Sequence, residues 1–110
     1  MDKTKIVEQI KEIVPIFSKC ISLDYIVLFG SYAKGNPHKY SDIDVAIVSS
    51  NLPKGLVNKD ILKAMVKMHK VNDMFEPHFF RLEKWEKAEP GTFEYEIKKT
   101  GKVIYSNGLQ

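Results

Sequence analysis

Apolar residues in the first stretch of the chain recur every three or four positions: Ile6, Ile10, Ile13 and Val14, with Phe17 continuing the stripe. That spacing predicts an amphipathic helix over residues 3–14. Pro15 is expected to kink or end it near Val14, because proline lacks a backbone donor. The pattern then changes. Tyr25–Phe29 (YIVLF) is apolar on both faces, as a strand covered on both sides is, and Gly30-Ser31 stops it abruptly. A turn-rich segment, GSYAKGNPHKYS, carries a short predicted helix at Ser31–Lys34. Asp42–Val48 (DIDVAIV) is the second predicted strand, with Ile43, Val45 and Ile47 on one face and Asp42, Asp44 and Ala46 on the other.

Residues 51–55 read as a loop, and Asn58 as the cap of a helix reaching about Lys70, with Ile61, Leu62, Met65, Met68 and His69 inward. Met74–Phe80 (MFEPHFF) is the third predicted strand; Pro77 removes one ladder donor and suggests an edge or a bulge. Trp85 falls in a short helical turn, Phe93–Lys99 reads as a helix that Gly101 ends, and Lys102–Tyr105 (KVIY) as a last short strand. The alternation predicts an α/β (α+β) fold: one domain, residues 1–110, with helices packed on a small mixed sheet.

Composition narrows this picture only slightly. An apolar share of 44% in 110 residues allows one modest core. The 17 basic against 14 acidic residues suit an anionic ligand such as a nucleotide, but are too weak an excess to indicate a nucleic-acid binder. One cysteine, Cys20, excludes an internal disulfide and is expected to be a packed small hydrophobe. The start has no signal-peptide core, and no apolar run is long enough to span a membrane, so a cytoplasmic location is expected.

The chemistry concentrates in Gly30-Ser31, ten further residues, and Asp42-x-Asp44. Glycine at a strand end lets the backbone approach a ligand. The Ser31 hydroxyl and nearby N–H groups suit phosphate oxygens. Two residues apart on a strand, Asp42 and Asp44 share a side, roughly 6–7 Å apart along the backbone. Their repulsion calls for compensation, and hard oxygen ligands of this kind suit Mg²⁺. The bland alternative is a polar, solvent-facing strand and an ordinary turn. Gly30 and Gly35 have P-loop spacing, but Asn36-Pro37 stands where Lys-Ser/Thr is needed; HExxH and C-x-x-C are absent too.

With two apolar strands around it, this motif resembles the signature of the DNA polymerase β-like nucleotidyltransferase superfamily over residues 24–48, and more weakly over nearly the whole chain. The short length is similar to that of the minimal nucleotidyltransferases, many of which are encoded beside a helical HEPN-type protein in toxin–antitoxin pairs. The resemblance implies a polymerase β-like fold and a third carboxylate on a later strand. Glu76 is the better match, although the usual residue is aspartate, and Asp73 competes. It further implies two Mg²⁺ ions (Mn²⁺ as the alternative) held by Asp42, Asp44 and Glu76, with Gly30 and Ser31 at the triphosphate of ATP. Glu76 would also be the base for an acceptor hydroxyl.

His78 shares Glu76's face, and Lys34, Lys39 and Arg81 are basic residues within reach of phosphate or acceptor; solvent-facing roles are the alternative for all four. The leading expectation is transfer of AMP from ATP to a hydroxyl of a HEPN-type protein partner. The competing expectation is a non-catalytic antitoxin that masks that partner. Phe79, Phe80, Trp85, Phe93 and Tyr95 crowd a short stretch, predicting exposed apolar surface used in a homodimer or hetero-complex.

Overall fold

A computed structural model describes residues 3–37, 42–55 and 58–108. The elements run α1 (Lys3–Ser18), β1 (Leu23–Phe29), α2 (Ser31–Lys34), β2 (Ile43–Ser49), α3 (Lys59–Val71), β3 (Phe75–Arg81), α4 (Leu82–Glu86), α5 (Phe93–Thr100) and β4 (Lys102–Ser106). The four strands form one sheet in the order β3-β2-β1-β4. β1 is antiparallel to both β2 and β4, whereas β2 and β3 are parallel. Parallel neighbours need a long crossover, and α3 supplies it. The sheet is therefore mixed, and β3 is an edge strand, as Pro77 required.

Strand alternation divides the interior in two. Ile26 and Leu28 of β1, Ile43, Val45 and Ile47 of β2, and Phe75 of β3 meet Ile6, Ile10, Ile13 and Phe17 of α1 and Ile61, Ala64 and Met68 of α3. On the opposite face Val27, Phe29, Ala46 and Val48 pack with Trp85 of α4 and Ile97 of α5. Burying both faces of β1 and β2 explains why those strands read as continuous apolar runs. Along β2 only Asp44 escapes full burial.

Three expectations are corrected. α1 continues through Pro15 to Ser18 rather than stopping near Val14. Pro15 and Lys11, whose carbonyl loses its partner, both lie on the exposed side of the helix, while Ile13 and Phe17 keep the inner stripe buried. On α3, Leu62 is 46% exposed and His69 is also exposed; Ala64 takes the inward position instead. Gly101 does end α5, but in extended backbone (φ −81°) rather than the left-handed cap. It is glycine because a β-carbon there would sit 2.6 Å from the Ile97 carbonyl oxygen and 2.7 Å from Val27. The Asn58 cap forms as expected, its Oδ1 accepting from the N–H groups of Asp60 and Ile61.

The aromatic crowd near the C-terminus is mostly consumed by its own packing. Trp85 is buried against Phe80, Phe79 packs edge-on to Phe17, and Tyr95 is half-buried. Phe93 alone among these five remains largely exposed, at 52%. Among the described residues no helix is long and apolar enough to cross a membrane.

Candidate functional site

Three consecutive features of the sheet meet at the end where β1 stops and β2 starts. β1 ends at Phe29, which lies opposite Asp44 of β2. Asp44 in turn is the register partner of Glu76 on β3. Because pairing residues put their side chains on one face, a row Phe29–Asp44–Glu76 forms across three strands. The next row is Val27–Ala46–His78. Asp42 stands just before β2 and is exposed.

The two candidate third carboxylates are placed differently. Glu76 is brought to Asp44, whereas Asp73 lies in the exposed turn before β3. The Asp42 carboxyl is hydrogen-bonded to that of Glu76, and this contact, with some desolvation and the nearby charges of Asp42 and Asp44, pushes the Glu76 pKa above the usual glutamate range. His78 opposes that shift weakly. His78 Nε2 lies 3.2 Å from Asp44 Oδ1, with the two side chains about one quarter exposed (27% and 25%).

Gly30 turns out to be close to a carboxylate. Its backbone has φ +76°, ψ −154°, and a β-carbon there would collide with Asp44 Oδ2. The space the glycine opens is occupied by the side chain of the motif's second aspartate. Asp44 is thereby framed on both oxygens, by Gly30 on one side and His78 on the other. Ser31 opens α2 and is half-buried; its carbonyl accepts from the N–H of Gly35 and, at 3.1 Å, of Asn36. These bonds wind the segment tightly directly after the strand, which keeps Ser31 beside the carboxylate row.

The donor set suits a divalent ion. Asp44, Glu76 and His78 each present a ligand atom, and these lie within 4.8 Å of one another. The Asp42 carboxyl adjoins Glu76. Carboxylates are the ligands Mg²⁺ and Mn²⁺ prefer, while imidazole is better matched to softer metals. With a hard ion, His78 fits best as the group that holds Asp44.

Not every sequence candidate arrives here. Arg81 is at the far end of β3, five residues from Glu76 and so roughly 17 Å along the strand. There its Nη1 donates to the Leu52 carbonyl at 2.8 Å, beside a cavity of about 340 Å³ also lined by Phe79 and Lys84. Lys34 ends α2 and is exposed. Lys39 lies outside the described residues.

Sequence reasoning missed the aromatic rings around the site. Phe29 and His78 are 5.1 Å apart between ring centroids, and Phe93 packs edge-on to both, at 5.7 and 5.9 Å. Strand alternation places Phe29 and His78 on one face, but nothing local in the sequence brings Phe93 to them.

Comparison with known proteins agrees with this architecture. Residues 11–108 match the family described as "Polymerase beta, Nucleotidyltransferase". Two proteins of Methanocaldococcus jannaschii, both named "Putative protein adenylyltransferase", are similar in sequence. MJ1305 is 47% identical over 34 residues, or 31% of this chain and 23% of its own length. MJ0141 is 39% identical over 61 residues, or 50% of this chain and 62% of its own. The matches thus span less than two thirds of either relative.

In structure, the chain resembles "a putative nucleotidyltransferase from Sulfolobus solfataricus" (TM-score 0.61, 18% identity, covering 97% of this chain and 91% of that one). It also resembles a chain of a toxin–antitoxin crystal structure with AMP-PNP (TM-score 0.57, 22% identity, 98% and 76%). Family match, sheet order and motif placement agree: the chain belongs to the polymerase β nucleotidyltransferase family.

Proposed function

We propose that this domain transfers AMP from ATP to a hydroxyl group of a partner protein and releases pyrophosphate. The observation that carries the reading is the register pairing of Asp44 with Glu76, with the Asp42 carboxyl adjoining Glu76 and Gly30 against Asp44. Asp42, Asp44 and Glu76 would hold two Mg²⁺ ions, with Mn²⁺ as a substitute. Bound there, the ions would supply the positive charge that offsets the triphosphate and makes an acceptor hydroxyl more acidic.

The chain's own groups have distinct tasks. Asp44 is fixed by His78 and by the surface of Gly30, so its carboxylate does not have to be ordered when nucleotide arrives. Ser31 offers its hydroxyl and N–H to the β- and γ-phosphates. Glu76 takes the proton of the acceptor hydroxyl. The acceptor oxygen then bonds to the α-phosphorus as the bond to the bridging oxygen breaks, and pyrophosphate leaves.

A protein acceptor is supported by two facts. The relatives in sequence carry the name protein adenylyltransferase. Glu76 and Asp42 are also exposed, at the end of the sheet where β1 stops, so that a bulky acceptor can reach them. The partner we propose is a helical HEPN-type protein, on the strength of the motif resemblance and of the toxin–antitoxin likeness. The reaction is proposed to take place in the cytoplasm.

The test is incubation of the domain with ATP, Mg²⁺ and the product of the neighbouring gene, followed by intact mass measurement. A gain of one adenylyl group by the partner is expected, with none when Asp42→Asn and Asp44→Asn are combined. Equal modification by that double variant would remove the proposal. Neutralisation of the partner without any added mass would favour masking.

A further inference from the structure

Phe93 is the one ring of the C-terminal aromatic group that stays largely exposed, at 52%, and yet it is held on several sides. Its ring packs edge-on to Phe29 at 5.7 Å, to Phe80 at 5.8 Å and to His78 at 5.9 Å. The backbone beneath it is fixed as well. Thr92 caps α5, accepting from the Tyr95 N–H at 3.2 Å and donating to the Glu89 carbonyl at 2.8 Å. An exposed aromatic that has already lost its freedom gives up little entropy when a ligand covers it.

Its place relative to the carboxylates is defined by the sheet. Phe29 belongs to the row of Asp44 and Glu76, His78 to the row of Ala46, and Phe80 is the partner of Val48. Phe93 contacts a ring in each of these three rows, two of which lie further from Gly30 and Ser31 than the row of Asp44 does. His78, which touches Phe93, also touches Asp44. The face therefore runs in sequence from a phosphate-binding turn, through carboxylates, to an aromatic ring. A nucleoside triphosphate has the same linear order: terminal phosphates, α-phosphate, then sugar and base.

We propose that Phe93 is the stacking platform for the base of the nucleotide. This rests on the nucleotidyl-transfer reading above and adds the residue that recognises the nucleoside. The base is preferred to an aromatic side chain of the acceptor because it is tethered through the sugar to the α-phosphate and is thus kept near the sheet. Every base has a π-face, so such a platform strengthens binding without reading hydrogen-bond edges. Phe93→Leu retains apolar bulk without the aromatic face and separates stacking from simple burial.

The experiment is calorimetric titration, in Mg²⁺, of the wild type, Phe93→Ala, Phe93→Leu and Phe93→Tyr with a nonhydrolysable ATP analogue and, separately, with inorganic tripolyphosphate. The Ala and Leu variants are expected to bind the ATP analogue about tenfold more weakly, and the Tyr variant to stay within about threefold of wild type. Tripolyphosphate should bind all four alike. Unchanged affinity of Phe93→Leu for the ATP analogue overturns the proposal, as does an equal loss for tripolyphosphate. If the wild type binds tripolyphosphate and the analogue equally well, the base has no subsite and Phe93 is not its platform. If the wild type binds neither, the nucleotidyl-transfer reading falls, and this inference with it.

Discussion

Asp44 leans over Gly30 so closely that a β-carbon on residue 30 would run into its Oδ2. Gly30 directly follows β1 and Asp44 lies on its antiparallel neighbour β2, and the second aspartate of the motif is seated on the bare backbone of its glycine. Gly30 also has φ +76° with an extended ψ, a region nearly closed to residues with a side chain.

Gly30→Ala therefore meets two penalties, backbone strain of about 1–3 kcal/mol and displacement of Asp44. We expect a lower denaturation midpoint, together with loss of nucleotidyl transfer beyond what the unfolded fraction explains. Gly35→Ala is the control: its φ is also positive, +80°, but a β-carbon there meets nothing within 4 Å. It should lose stability and keep most of its activity per folded molecule, as measured by denaturant titration and by single-turnover assay.

Glu76 provides a pH signature. Its pKa is raised in the folded, metal-free domain by the hydrogen bond that protonated Glu76 donates to Asp42, by desolvation and by the charges of Asp42 and Asp44. A raised carboxylate pKa contributes stability below the ordinary glutamate value, and that contribution is lost as pH rises through the folded value. In EDTA, wild type is thus expected to lose stability relative to Glu76→Gln as pH increases from 4 to 7 (about the range in which carboxylates titrate). Saturating Mg²⁺ should stabilise only the wild type at neutral pH and release protons as it binds. Parallel melting curves for the two proteins would expose a wrong sign.

Asp24 is predicted to matter for stability alone. It is buried, 4% exposed, at the start of β1; its Oδ2 accepts from the Ser50 N–H at 2.7 Å and its Oδ1 from Asn107 Nδ2 at 2.9 Å. Asp24→Ala removes the acceptor of these two part-buried hydrogen bonds, at about 1–3 kcal/mol. The carboxylate row is at the other end of the same strand, so affinity for the ATP analogue, measured on the folded fraction, should be unchanged.

Pro15→Ala is expected to stabilise. The helix already passes through this exposed position, and alanine restores a donor for the Lys11 carbonyl without touching the buried stripe. The gain is up to about 3 kcal/mol, read as a higher urea midpoint at unchanged slope.

Much of the local structure was legible from residue order. Short-range periodicity identified the strands around YIVLF and DIDVAIV, the helix capped by Asn58, and the short helix at Ser31–Lys34. The face that Asp44 shares with Ala46 follows from strand geometry alone. At Pro15 the local rule failed: it looked like a stop, and tertiary burial of Ile13 and Phe17 carried the helix past it.

By itself, then, the sequence determined which segments become strands and helices, and that a glycine, a serine and two aspartates stand at one strand junction. Those are consequences of side-chain alternation and backbone sterics over a few residues. Only the tertiary structure decided that Glu76 rather than Asp73 joins them, because that depends on the register between β2 and β3, set by the packing of α3 and two buried sheet faces. It also decided that His78 holds Asp44 and that Phe93 stands beside them. Residues far apart in the chain meet only once the sheet has closed, and no local pattern encodes that distance.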